Sequence, residues 1–194
     1  MTLSRPPGNF AALAIDTVAA APSLLVRVTR FPDTEPHFGS SRGCRFDDPL
    51  QGYGVCYVGE NIFVAFAETL LHDAMSTGGR YRLEEKKLRE RHVVTFQGTT
   101  LALANMTGPP LKRLGAIEIS SEMAYDTPQL WSRAIYVHPL NVDGIQYVSR
   151  HVNTLKAFAL FDRCRGKLVR DTSTQLLAHP KLAEVIETFG IDLL

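Results

Sequence analysis

The sequence predicts an α+β fold in a single domain over residues 1–194, with its core at about 24–171 and helices flanking it at both ends. Three observations point there. Strand-like and helix-like runs are mixed, without the regular alternation of a doubly wound parallel sheet. Gly and Pro punctuate the runs throughout. At 194 residues the chain is long enough to bury a core without disulfide or metal staples.

In chain order, Asn9 caps a predicted helix that extends to Ala19 and is closed by Pro22. Leu24 to Arg30 reads as a strand, with Leu25, Arg27 and Thr29 on one face and Leu24, Val26, Val28 and Arg30 on the other. Arg27 is unexpected in so apolar a run. Phe31 to Gly52 is rich in Pro, Gly, Ser and Asp and reads as a long loop carrying Arg42, Gly43, Arg45 and Phe46. Loops of that length are often functional. Gly54 to Gly59 is a second short strand that carries Tyr57, and Asn61 caps the helix behind it.

Arg80 to Arg91 alternates acids and bases, with Glu85 and Arg89 four apart, and reads as a solvated helix. Strands are predicted at Val93–Phe96, Leu101–Met106 and Ala116–Ile119. Thr127 and Pro128 open a helix to about Val137, with Trp131 and Ile135 on one face. Gly144–Ser149 and Ala157–Phe161 read as strands near the middle of a sheet, with a weaker one at Leu168–Arg170. The last helix starts near Pro180 and ends at a C-cap glycine, Gly190.

Composition excludes several function classes. Lys and Arg number 21 against 20 Asp and Glu, so a net charge of +1 gives no basis for bulk binding to nucleic acid or anionic membrane. Anion recognition must then be local. Cys44, Cys56 and Cys164 are odd in number and form no CxxC pair, which argues against a disulfide framework or structural zinc and favours a reducing cytoplasm. No apolar stretch has the length of a membrane span, and Asp16 interrupts the run before Ala19-Ala20-Ala21, against export. The six histidines are scattered without metal-ligand spacing and read as structural or exposed, and no metal is expected. GxGxxG, Walker, GxSxG and HExxH signatures are missing.

Glu68 is the most informative residue, because nearly every neighbour between Asn61 and His72 is apolar. An ionised carboxylate in such surroundings finds a partner or shifts its pKa. At helical spacing Asn61, Ala65, Glu68 and His72 form one stripe, while Ile62, Phe63, Phe66, Leu70 and Leu71 cover the rest. That stripe is either a solvated edge or the wall of a cleft.

Together with Glu68, the polar residues set beside apolar strands and helices are Arg27, Arg45, Tyr57 and Ser149. The segments Leu25-Val-Arg27-Val, Arg45-Phe-Asp-Asp-Pro, Val55-Cys-Tyr57-Val, Ala65-Phe-Ala-Glu68-Thr-Leu-Leu and Gly144-Ile-Gln-Tyr-Val-Ser149-Arg150 occur in order over about Leu24 to Asp162. In this series the chain resembles the RES domain family, named for its Arg, Glu and Ser. The resemblance implies an α+β fold like that of ADP-ribosyltransferases, with mixed and antiparallel sheets. It implies NAD as substrate rather than cofactor, cleavage of the nicotinamide–ribose bond, phosphate as co-substrate in some members, and a role as the toxin of a toxin–antitoxin pair with a protein antitoxin.

Carried over, Arg27, Tyr57 and Glu68 are the catalytic candidates, Arg45 and Ser149 join Arg27 and Tyr57 as NAD-binding candidates, and Ser132 is a second serine candidate. The chain departs from the family pattern at Arg45-Phe46-Asp47, where Gly-Arg-Trp-Asn is frequent, and at Val148, where proline often precedes the serine. The residue types suit the chemistry. A carboxylate stabilises positive charge growing on the ribose as neutral nicotinamide leaves. Guanidinium groups hold a diphosphate bidentately. Tyr57 can stack on nicotinamide, and Ser149 can orient one hydrogen bond. The rival readings are a non-catalytic interaction protein in which Arg27 and Glu68 form a buried structural ion pair, and a transferase that modifies a macromolecule with ADP-ribose. Homo-oligomerisation stays open.

Overall fold

The computed structural model describes residues 3–72, 74–116, 118–120 and 124–194. In chain order its strands and α-helices are β1 (Thr17–Ala20), β2 (Val26–Thr29), β3 (Val55–Gly59), α1 (Ile62–Leu70), β4 (Tyr81–Leu83), α2 (Glu85–Arg89), β5 (His92–Gly98), β6 (Leu101–Asn105), α3 (Gly108–Arg113), α4 (Asp126–Tyr136), β7 (Gly144–Val148), β8 (Lys156–Phe161), β9 (Leu168–Gln175), α5 (Leu182–Phe189) and β10 (Ile191–Leu193). The fold is α+β. Eight strands form one mixed sheet in the order β1-β6-β7-β8-β3-β2-β5-β9, and β10 pairs with β4 in a two-stranded ribbon. Only the β6–β7 neighbours in the large sheet run parallel.

The most apolar runs take the centre of the sheet, as expected of strands covered on both faces. β8 is buried along its length after Lys156, and its neighbours β3 and β7 are mostly buried. One core cluster lies against α4, where Trp131 is fully buried and its indole Nε1 donates to the Ser4 carbonyl at 2.7 Å. A second contains the apolar faces of α1 and α5. The α1 N-terminus is fixed by Asn61, whose Oδ1 accepts from the Val64 N–H at 3.1 Å. Gly190 closes α5 at φ 60°, a left-handed conformation that favours glycine.

Four sequence expectations are corrected. The predicted helix from Asn9 to Ala19 is a three-residue 3-10 turn, Phe10–Ala12, followed by the edge strand β1, which gains its backbone partners from β6. Asn9 makes no side-chain cap. The solvated helix expected over Arg80 to Arg91 divides into β4 and α2, with Leu83 and Leu88 buried, because β4 is recruited by β10 more than a hundred residues later. The Glu85–Arg89 pair does form, at 2.7 Å. Ala116 and Ile119 are buried but in no strand, and Ile117 lies outside the described residues. β9 extends to Gln175 through a polar stretch with no apolar alternation, held by its pairing with β5.

Candidate active site

β2 and β3 are joined by a single register pair, Val26 with Gly59. Beyond it the sheet opens, and the two strands deliver Arg27 and Tyr57 to the opening. Arg27 spans the gap in place of ladder bonds: Nη1 donates to the Tyr57 carbonyl at 2.7 Å, and Nε donates to Glu35 Oε1 at 2.7 Å. The Glu35 side chain is 1% exposed, and its second oxygen accepts from the His37 N–H. Arg27 is therefore paired with Glu35, which corrects the reading that made Glu68 its structural partner. Burial alone would lower the Arg27 pKa, but Cys56 and Glu35 around it more than reverse the effect.

The split opens into a cavity of about 290 Å³ whose walls include Arg27, Arg45, Tyr57, Glu68, His72 and Tyr147. This lies at the lower end of ligand-pocket sizes. Glu68 arrives on the last turns of α1, on the stripe it shares with Ala65, and His72 follows in the turn after the helix; Ala65 and His72 also face the cavity. Its carboxylate is held from β7: Ser149 Oγ donates to Oε1 at 2.7 Å, and the Tyr147 hydroxyl approaches Oε2 at 3.4 Å. Ser149 is fully buried and does not line the cavity, so it acts on the site through Glu68.

The long loop delivers Arg45. It is pinned by Asp47, whose Oδ2 accepts from Ser41 Oγ and the Cys44 N–H, and by Gln129 Nε2, which donates to the Arg42 and Cys44 carbonyls. Arg45 is 5% exposed, with its guanidinium carbon 5.0 Å from the centre of the Tyr125 ring. Burial and then Arg150 lower its pKa, while Tyr125, Tyr147 and Glu68 oppose the shift. An arginine remains charged regardless. The Tyr57 hydroxyl donates to Asp47 Oδ1 at 3.0 Å and accepts from the Phe46 N–H at 2.9 Å, which fixes the ring at the cavity wall.

Burial pushes Tyr57 and Tyr147 well above the ordinary phenol range, with Asp47 and Glu68 respectively adding to it, so both hydroxyls stay protonated as donors. Burial likewise raises Cys56 to about 11 and keeps it a thiol at neutral pH.

Ser132 is a correction. It is fully buried on α4, donating to the Phe46 carbonyl at 2.6 Å and bonded to the Tyr53 hydroxyl at 2.8 Å, and it does not reach the cavity. His72 is another, since the scattered histidines read in the sequence as structural or exposed. It lines the cavity and its Nε2 is 2.6 Å from the Tyr125 hydroxyl. Its place four residues after Glu68 was the available signal. Glu35 and Tyr147 carried no local signal, since both meet the site through contacts distant in sequence.

The RES domain family model matches residues 24–179. The chain belongs to the RES domain family. Among solved structures, this RES chain is similar to a chain of the crystal structure of the M. tuberculosis MbcT–MbcA toxin–antitoxin complex, at 17% identity and a TM-score of 0.65, covering 88% of this chain and 90% of that one. That likeness is one of fold. No curated protein matches the sequence. Among the described residues of this RES domain, no helix is long and apolar enough to cross a membrane.

The arrangement places one oriented carboxylate in a partly desolvated cavity that also carries two guanidinium groups and two protonated phenols. Such a site favours a ligand whose anionic part meets the arginines and whose reacting centre becomes positive beside Glu68.

Proposed function

We propose that this RES domain consumes NAD by cleaving its nicotinamide–ribose bond, and that it is the toxin of a toxin–antitoxin pair, restrained by a protein antitoxin. The observation that carries the reading is the Glu68 carboxylate, held by Ser149 in the same cavity as Arg27 and Arg45. As the glycosidic bond breaks, its electron pair leaves with nicotinamide and the ribose gains oxocarbenium character. Glu68 stabilises that charge more than the ground state, because its orientation is set before the substrate arrives. Arg45 and the cavity-facing side of Arg27 bind the diphosphate, and Tyr57 packs on the nicotinamide ring. Water or phosphate then takes up the ribosyl carbon. The RES family match and the toxin–antitoxin origin of the similar fold support the toxin assignment.

The test is nicotinamide release from NAD by purified protein, followed chromatographically with and without phosphate. Product identity separates ADP-ribose from ADP-ribose 1″-phosphate. A Glu68→Ala variant with an unchanged circular dichroism spectrum is expected to release none, and full turnover by it would remove Glu68 from this role.

A further inference from the structure

Next to the candidate active site, and sharing Thr69 with it, lies a second cavity of about 420 Å³. Arg30 at the end of β2, Arg80 and Arg82 around β4, Lys87 on α2, and Arg91 beyond it all face this space, and no Asp or Glu among the described residues lines it. Two of the five cations form ion pairs. Arg80 grips both Asp192 oxygens at 2.6–3.0 Å, and Arg30 Nε lies 3.9 Å from Glu90. Arg82, Lys87 and Arg91 make no ion pair among the described residues.

Arg91 is the decisive member. It is 9% exposed, and its Nη1 donates to the Lys87 carbonyl at 2.6 Å. Its Nε is buried without a hydrogen-bond partner among the described residues. A buried charged donor without an acceptor carries its full desolvation penalty, and the nearby Arg30 charge adds repulsion that Glu90 opposes. An anion in this cavity would offset the charge that Arg91 shares with Arg30, Arg82 and Lys87.

We propose that the second cavity is a binding site for phosphoryl anions, with Arg91, Arg82 and Lys87 supplying the charge-assisted hydrogen bonds. Guanidinium forks match tetrahedral phosphate oxygens, and several converging cations suit a multiply charged anion better than a carboxylate. The phosphoryl group has two sources. One is a free inorganic anion. The other is a dinucleotide whose diphosphate, held on one side by Arg27 and Arg45, reaches past Thr69 to this cluster with the nicotinamide end beside Glu68, and only this second source rests on the function proposed above.

The test is calorimetric titration of the full chain with inorganic pyrophosphate, a measurement that needs no turnover of NAD. Wild type and Glu68→Gln are expected to bind alike. The double variant Arg82→Ala/Lys87→Ala, both exposed positions, is expected to lose affinity about tenfold or more. Arg91→Lys keeps the charge while removing the planar guanidinium fork, and is expected to weaken binding in the same direction. Competition between pyrophosphate and ADP-ribose, with a raised KM for NAD and unchanged kcat in the double variant, identifies the dinucleotide source. Simultaneous binding without competition identifies the free anion. No binding up to about 10 mM pyrophosphate, or equal affinity in the double variant, overturns the site.

Discussion

Ser149 Oγ donates a 2.7 Å hydrogen bond to Glu68 Oε1, joining the end of β7 to the last turns of α1. A hydrogen bond to a charged group contributes about 1.5–3 kcal/mol, and here it also fixes which way the carboxylate points. Ser149 is thus a positioning residue, and Glu68 is the group that meets substrate.

The first expectation follows from that division. Glu68→Gln lowers kcat for nicotinamide release by roughly 10²–10³-fold. Ser149→Ala lowers it by about tenfold with little change in KM, since no substrate contact is removed. Tyr147→Phe has a smaller effect, because its contact with Glu68 is long at 3.4 Å. Steady-state kinetics on the three variants checks the ranking, and a Ser149→Ala effect confined to KM would contradict it.

Removing Glu35 leaves the Arg27 guanidinium buried without its counter-charge. Glu35→Ala is expected to destabilise the fold by about 3–5 kcal/mol, read from the urea midpoint. Replacing both partners, Arg27→Met with Glu35→Leu, recovers part of that loss while leaving the cavity without one cation. A Glu35→Ala cost below about 1 kcal/mol would mean that other groups compensate Arg27.

Gly59 ends β3 where α1 comes closest. A Cβ there would sit 2.7 Å from the Ala65 backbone nitrogen and 2.8 Å from Val64 Cβ. Because backbone as well as side chain is struck, Gly59→Ala must push α1 outward, at about 1–3 kcal/mol. The displacement carries Glu68 away from Ser149, so turnover at a temperature well below Tm is expected to fall along with stability. Unchanged turnover in a destabilised Gly59→Ala protein would show that α1 moves without disturbing the carboxylate.

Burial, chiefly, holds the His151 pKa below its ordinary value. Arg150, His72 and Arg45 act in the same direction, and Glu68 opposes them. The unfolded chain therefore takes up a proton near pH 6.5 that the folded chain still refuses. Stability is full above about pH 6.5 and falls as the pH drops from there toward the folded-state pKa, below which this contribution is constant. His179 is lowered by burial and Lys181 and adds the same sign. Urea unfolding from about pH 5 to 8 at fixed ionic strength is expected to show this acid slope, reduced in His151→Gln.

Much of the fold was legible because its strongest signals are local. Asn61 caps α1 as its residue type demands, Gly190 closes α5, and the apolar runs Val55–Gly59 and Ala157–Phe161 became adjacent central strands. The failures lie where pairing partners are remote. The local sequence predicts helix at β1 and β4 because their strand character comes from β6 and β10, and the polar end of β9 is a strand because β5 is there to bind it.

The candidate site divides along the same line. Periodicity put Ala65 and Glu68 on one wall, since a helix fixes which side chains share a face, whereas His72 reaches the same cavity from the turn beyond the C-cap Leu71. The ordered Arg, Tyr and Glu segments marked the strands and helix that meet there. What the sequence left undecided was who pairs with whom. Glu35 takes Arg27, Ser149 takes Glu68, and Ser132 turns inward to Phe46, because the split between β2 and β3 and the approach of β7 to α1 are set by long-range packing. Local periodicity determines the direction of a side chain, whereas the charge it meets depends on segments that only the folded chain brings within hydrogen-bond reach.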